Sequence, residues 1–209
     1  MAANVNRKIF EILDKMAPAN AAQYCWDLWH EDPFHLVITR KRKSKLGDFR
    51  YNTLRKFQTI TLNQDLHSYQ FLITYIHEVA HYRAFKKFGT SIKPHGPEWK
   101  MEFRKLMSPM LSDLVFPKDI LLPLKNHMQN PKASSGVDFW LTKELRKYSN
   151  EMGAEKVIYL GELKPGSQFL LRGRIFQKIE TKRTRVLCTE LDSGQNYLIA
   201  SHAEVKLQR

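Results

Sequence analysis

The chain has 209 residues, room for one generous domain or one domain with a small appendage. Hydrophobic residues make up 43%, which excludes wholesale disorder, and 34 Lys and Arg against 21 Asp and Glu leave a formal charge of +13. That excess points to a polyanionic partner, and the presence of only two cysteines, Cys25 and Cys188, excludes a disulfide framework or a cysteine zinc ribbon.

Residues 6–16 place Ile9, Phe10, Leu13 and Met16 at helical spacing before Pro18, and a second helix is predicted from about residue 20 to Trp29. Phe34–Thr39 reads as a strand, Arg40–Lys45 as a basic turn, Phe49–Thr53 as the return strand and Thr59–Leu62 as a third. Together they predict a small antiparallel sheet. The next helix is expected to start near residues 63–66 and to stop at Gly89, a good left-handed cap. Between Leu66 and Tyr82 its only formally charged side chain is Glu78, so it is expected to be buried on most faces. Burying an unpartnered carboxylate is unfavourable, and a metal ion beside it removes the difficulty.

Pro97 suits the first turn of another helix running to about Leu106. Beyond it, Pro109, Pro117, Pro123 and Pro131 punctuate short apolar stretches, and residues 130–136 read as a linker. A short helix is predicted around Phe139 to Tyr148. From Val157 the texture is β, with turns at Lys164–Ser167 and Asp192–Gly194 and four or five short strands. The expected organisation is a catalytic domain over residues 1–110, a Pro-containing connector over 111–156 and an accessory module over 157–209, a small SH3-like or OB-like β-barrel. The fold class is α+β.

The chemistry concentrates in His77-Glu78-Val79-Ala80-His81. Two histidines four apart share one helical face, so their imidazoles converge on one zinc ion while Glu78 projects beside them. A third histidine leaves one position open, which is a catalytic arrangement and not a closed structural one. His95 is the preferred third ligand because it lies on a loop beside Gly96, which permits close backbone approach; Glu98 and Glu102 are the alternatives. Glu78 is the expected acid/base for peptide hydrolysis with one Zn2+ as cofactor.

Four segments carry a resemblance: Leu46–Tyr51, Ile60–Asn63, His77–His81 and His95–Lys100, in that order. Over roughly residues 5–110 the chain resembles the SprT-like family, which includes bacterial SprT proteins and Spartan-type DNA–protein crosslink proteases. The resemblance implies a helical zincin-like domain with a small β element. By motif position it implies zinc ligands at His77, His81 and His95 and a catalytic Glu78, and it also implies proteolysis of DNA-bound proteins. The cysteine-rich ribbon that many members carry cannot be built here.

Candidate nucleic-acid contacts are Arg40, Lys41, Arg42, Lys43 and Lys45 at the predicted turn. Arg172, Arg174, Arg183 and Arg185, with Lys178 and Lys182, add a second group on the C-terminal strands, where basic residues interleaved with aromatics suit single-stranded DNA. The N-terminus lacks the apolar core of a secretory signal and no apolar run nears the ~20 residues of a membrane span, so a soluble cytoplasmic protein without a membrane partner is expected. The competing reading is a nucleic-acid-binding or transcription-associated factor with a non-catalytic zinc site.

Overall fold

The computed structural model describes residues 2–42, 44–54, 57–132, 138–149 and 158–208, and divides into compact units of residues 1–150 and 151–209. In the first unit, α1 (Ala2–Met16) buries Ile9 and Leu13, and α2 (Ala19–Glu31) buries Ala21, Cys25, Leu28 and Trp29. Helix α3 (Ser68–Phe88) follows a three-stranded sheet and runs through the core. It buries Phe71, Leu72, Tyr75, Ile76, Val79 and Ala80, as its near absence of charge predicts. The His67 ring accepts the Gln70 amide at its start. Gly89, at φ 76, stops it. Tyr75 donates its hydroxyl to the Cys25 carbonyl at 2.8 Å and Tyr82 donates to Asp32 at 2.9 Å, tying α3 to α2 and to the turn that follows it.

The sheet differs from the antiparallel arrangement expected. Its strands β1 (His35–Thr39), β2 (Gly47–Arg50) and β3 (Thr59–Asn63) lie in the order β1-β3-β2. Only β2 is antiparallel to β3; β1 runs parallel to it. The strand with Ile60 and Leu62 fully buried takes the centre, and the two more exposed strands flank it. The basic stretch is therefore a crossover past the end of β3, not a hairpin tip.

Helix α4 (Pro97–Met107) opens at Pro97, as expected, and buries Trp99 and Phe103. The Pro-punctuated stretch after it holds a 3-10 turn at Ser108–Met110 and a full helix, α5 (Lys118–Gln129). Pro123 sits inside α5, where a proline costs about 3 kcal/mol. Ile120, Leu121, Leu124 and Met128 are buried, each worth roughly 1.5–3 kcal/mol, and together they outweigh it. Arg104 of α4 completes the helix end by donating to the carbonyls of Met128 and Gln129 at 3.0 and 2.6 Å. Helix α6 (Phe139–Arg146) adds Leu141 and Leu145 to the same core.

The second unit is a six-stranded sheet of β4 (Ile158–Tyr159), β5 (Gln168–Leu171), β6 (Arg174–Thr181), β7 (Arg185–Glu190), β8 (Asn196–Ala200) and β9 (Glu204–Leu207). The order is β4-β9-β5-β6-β7-β8, with every pairing antiparallel. Arg172 and Gly173, at φ 52 and 79, make the tight turn between β5 and β6. Its core is Leu160, Phe169, Phe176, Val186, Cys188 and Val205. Among the described residues no helix is long and apolar enough to cross a membrane.

Candidate metal centre

The pitch of α3 presents His77 and His81 on one face, and His95 reaches them from the loop before α4. The Nε2 atoms of His81 and His95 lie 2.9 Å apart, and those of His95 and His77 3.2 Å apart. Tetrahedral zinc with bonds of roughly 2.0–2.1 Å needs its nitrogens roughly 3.3 Å from one another, so the trio matches the donor set such an ion takes. His95 attains this with φ 59, a left-handed conformation uncommon for a side chain of its size. Burial, then the neighbouring imidazoles, hold His77 well below the usual histidine range, and the same two causes bring His81 down to about 3. Burial lowers His95 as well, so the rings are neutral, the form that ligates a metal.

Among the described residues these three histidines form the one group of at least three donors placed to hold an ion. Glu102, an alternative third ligand, is buried with its carboxylate 3.4 Å from the Lys87 amine. Glu98 also lies outside the group. Trp99 is fully buried against all three rings, with centroids 4.7, 5.2 and 4.6 Å from His77, His81 and His95. Its indole donates to the His77 carbonyl at 3.3 Å. Trp99 belongs to the segment His95–Lys100 and stands at the third position of α4, a large apolar side chain at the head of a helix that the sequence places beside the third ligand.

Glu78 is 6% exposed and no lysine or arginine pairs with it among the described residues. Burial first, then the nearby Asp48 carboxylate, pushes it up to about 8, against the Phe49 amide, which donates to it. Asp48 itself is pushed up by burial, yet its bonds from Arg50 and Lys45 hold it below the usual carboxylate range. A dication beside Glu78 opposes the rise by favouring the ionised form.

The backbone of β2 is what positions this carboxylate. A Cβ on Gly47 would stand 2.7 Å from Glu78 Oε1 and 2.7 Å from Thr74 Cγ2, so a side chain here forces Glu78 and Thr74 to move. Asn63, 1% exposed, holds the crossover that leads into Gly47. Its Nδ2 donates to the carbonyls of Arg42 and Lys45 at 3.1 and 3.0 Å, and its Oδ1 accepts from Arg42 Nε at 2.8 Å. Gly47→Ala is expected to displace Glu78 and lower kcat by about tenfold to a hundredfold, with metal content unchanged. Steady-state kinetics beside metal analysis check it, and an unaltered kcat rejects the close-approach argument.

His127, without ligand spacing in the sequence, reads there as a surface or core residue and not a metal ligand. It is 4% exposed on α5 and lines a cavity together with His77 and Glu78. Prolines that look like helix breakers concealed it, although Ile120, Leu124 and His127 follow helical spacing.

The candidate nucleic-acid contacts divide. Arg42 is drawn inward by Asn63 and by Thr61, whose hydroxyl accepts from it at 3.0 Å. Lys45 pairs with Asp48 at 3.0 Å and Lys41 with Asp65 at 3.4 Å, and Lys43 lies outside the described residues. Arg174 pairs with Glu190 and stacks over Phe176 and Tyr197, 5.2 and 4.8 Å from their centroids. Lys178 is no surface charge. It is 2% exposed and donates to the carbonyls of Leu160, Gly161 and Leu163 at 3.2, 3.1 and 2.6 Å. Arg40, Arg172, Arg183 and Arg185 are exposed. Arg172 and Arg183 flank opposite ends of β6, so the C-terminal group is not one patch.

Compared with known proteins, residues 13–118 match the SprT-like family model. No curated protein and no solved structure gave a match.

Proposed function

The chain belongs to the SprT-like family, and from that membership we propose that it is a zinc-dependent metalloendopeptidase acting on DNA-associated proteins. One observation carries the reading: three neutral imidazoles converge beside a buried carboxylate whose charge Arg42 and Lys45 favour only from a distance and which, among the described residues, no lysine or arginine bridges. A purely structural ion has no need of that carboxylate.

Zinc, when held by His77, His81 and His95, supplies a Lewis acid and lowers the pKa of water to ~7. Glu78 takes a proton on a carboxylate oxygen and returns it to the nitrogen of the leaving amine. Gly47 and the Phe49 amide keep that oxygen in place. β2 is an edge strand, so an extended substrate chain can pair with its free side and lie across the three rings.

We read the C-terminal sheet as a small barrel of SH3-like or OB-like type. The Gly161 amide bonds to the Ser201 carbonyl at 2.8 Å, linking the segment after β4 to the end of β8 at the opposite edge. In this reading Arg183 and Arg185 contact single-stranded DNA and bring the peptidase to proteins bound there, in the cytoplasm. The test uses the metal-loaded chain and a DNA-binding protein as substrate, with and without single-stranded DNA. Cleavage is expected to rise with DNA, and DNA affinity to fall roughly tenfold or more between about 50 and about 200 mM salt. Cleavage indifferent to DNA, with a flat salt response, leaves a peptidase of free peptides.

A further inference from the structure

Two concavities meet at the metal centre and share Lys45, Gly47, His77 and Glu78 in their walls. The wider, about 460 Å³, extends along α3 past His81 to Phe85 and Gly89, bounded by Phe49, Tyr51 and Trp99. The narrower, about 180 Å³, extends the other way along α3, against Ile73 and Thr74. A chain lying across the centre therefore has a concavity on each side of the bond to be broken.

The character of the narrow cavity is set by His127. The ring is almost completely buried on α5, and its Nδ1 stands 3.4 Å from Asp138 Oδ2, long for a hydrogen bond, with no other polar partner among the described residues. Nε2 has no hydrogen-bond partner among the described residues, and it belongs to a ring that lines the cavity. Ile73 and Phe103 supply apolar wall. Lys45, at the shared edge, is already paired with Asp48 at 3.0 Å and so offers little to an incoming anion.

Resting on the peptidase reading, we infer that this cavity seats the substrate side chain next to the scissile bond. His127, steadied by Asp138, makes it select a short, uncharged polar side chain. The apolar wall accommodates the methylene or methyl of Ser, Thr or Asn while Nε2 bonds to the polar end. A Leu side chain leaves Nε2 unpaired away from water, a discrimination of roughly tenfold to a hundredfold.

Peptides that differ only in the residues flanking one scissile bond provide the test. The metal-loaded wild type is expected to cleave those with Ser, Thr or Asn on one flank about tenfold or more faster in kcat/KM than those with Leu. His127→Leu is expected to keep its metal and to reverse that order, raising kcat/KM on the Leu peptide and lowering it on the Ser peptide, each by several-fold or more. Asp138→Asn, which leaves the imidazole in place, is expected to narrow the preference and guards against a His127 variant that fails to fold. Equal profiles for wild type and His127→Leu overturn the inference, as does a wild-type preference for large apolar side chains.

Dipeptide hydroxamates carrying Ser or Leu separate this from the peptidase reading, because their affinities, measured by calorimetry, need no turnover. If the loaded wild type cleaves nothing, hydrolysis is rejected. The hydroxamates still decide the pocket: tighter binding of the Ser compound that His127→Leu abolishes supports it, and equal affinities overturn it.

Discussion

Glu78→Gln protein is expected to keep its metal and to lose turnover by about a hundredfold to ten-thousandfold. The substitution preserves shape, which matters because Gly47 leaves no space for a larger group and the Phe49 amide still finds a carbonyl oxygen to donate to. It removes the carboxylate oxygens that would take a proton beside the three imidazoles. The ligands are untouched, since His77, His81 and His95 hold one another in contact with Trp99 independently of the carboxylate. Metal analysis and steady-state cleavage, run on one preparation, decide the matter. A fully active variant removes Glu78 from the chemistry; a variant without metal makes it a structural residue.

Removing the ion is expected to have the second large effect. A ligand at about a thousand times its dissociation constant stabilises the folded state by roughly 4 kcal/mol. For a chain of this size that is a melting-temperature drop of roughly 8–15 °C on chelation. His95→Ala is expected to melt low with or without chelator. His95→Gly also loses the ion, but it relieves the strained φ of 59 and should melt above the alanine variant. Acid adds a signed prediction. Burial sets His81 near 3 in the folded state against 6.5 when unfolded, so its contribution is whole above 6.5. It is lost as pH falls through that window, because the unfolded chain takes up the proton first. A melting temperature indifferent to chelator refutes the metal centre.

What could be read from the chain alone follows the range of the signal. His77, Glu78 and His81 are legible because one helical turn fixes their relation, and the charge-free stretch around them announces a buried helix. His95 is legible by its glycine neighbour and by the motif it shares with a family. Strand neighbours are not local, so the apolar runs at 34–39, 49–53 and 59–62 gave strands without their order. Asn63 reads in one dimension as the start of the helix that follows, and only the parallel β1 reveals it as the clamp on Arg42 and Lys45. Lys178 was within reach: it stands two positions from Phe176 on β6, and period two puts both on the inner face. Reading its charge as surface ignored that alternation.

The order β1-β3-β2 also governs when the centre can assemble. The middle strand is the last of the three to leave the ribosome, so neither flanking strand has a neighbour until it arrives. Asn63, its final residue, then gathers the crossover and brings Gly47 to its place. The seat of the carboxylate is thus fully synthesised before Glu78 itself, and the catalytic group emerges to a sheet whose three strands are already present in the chain.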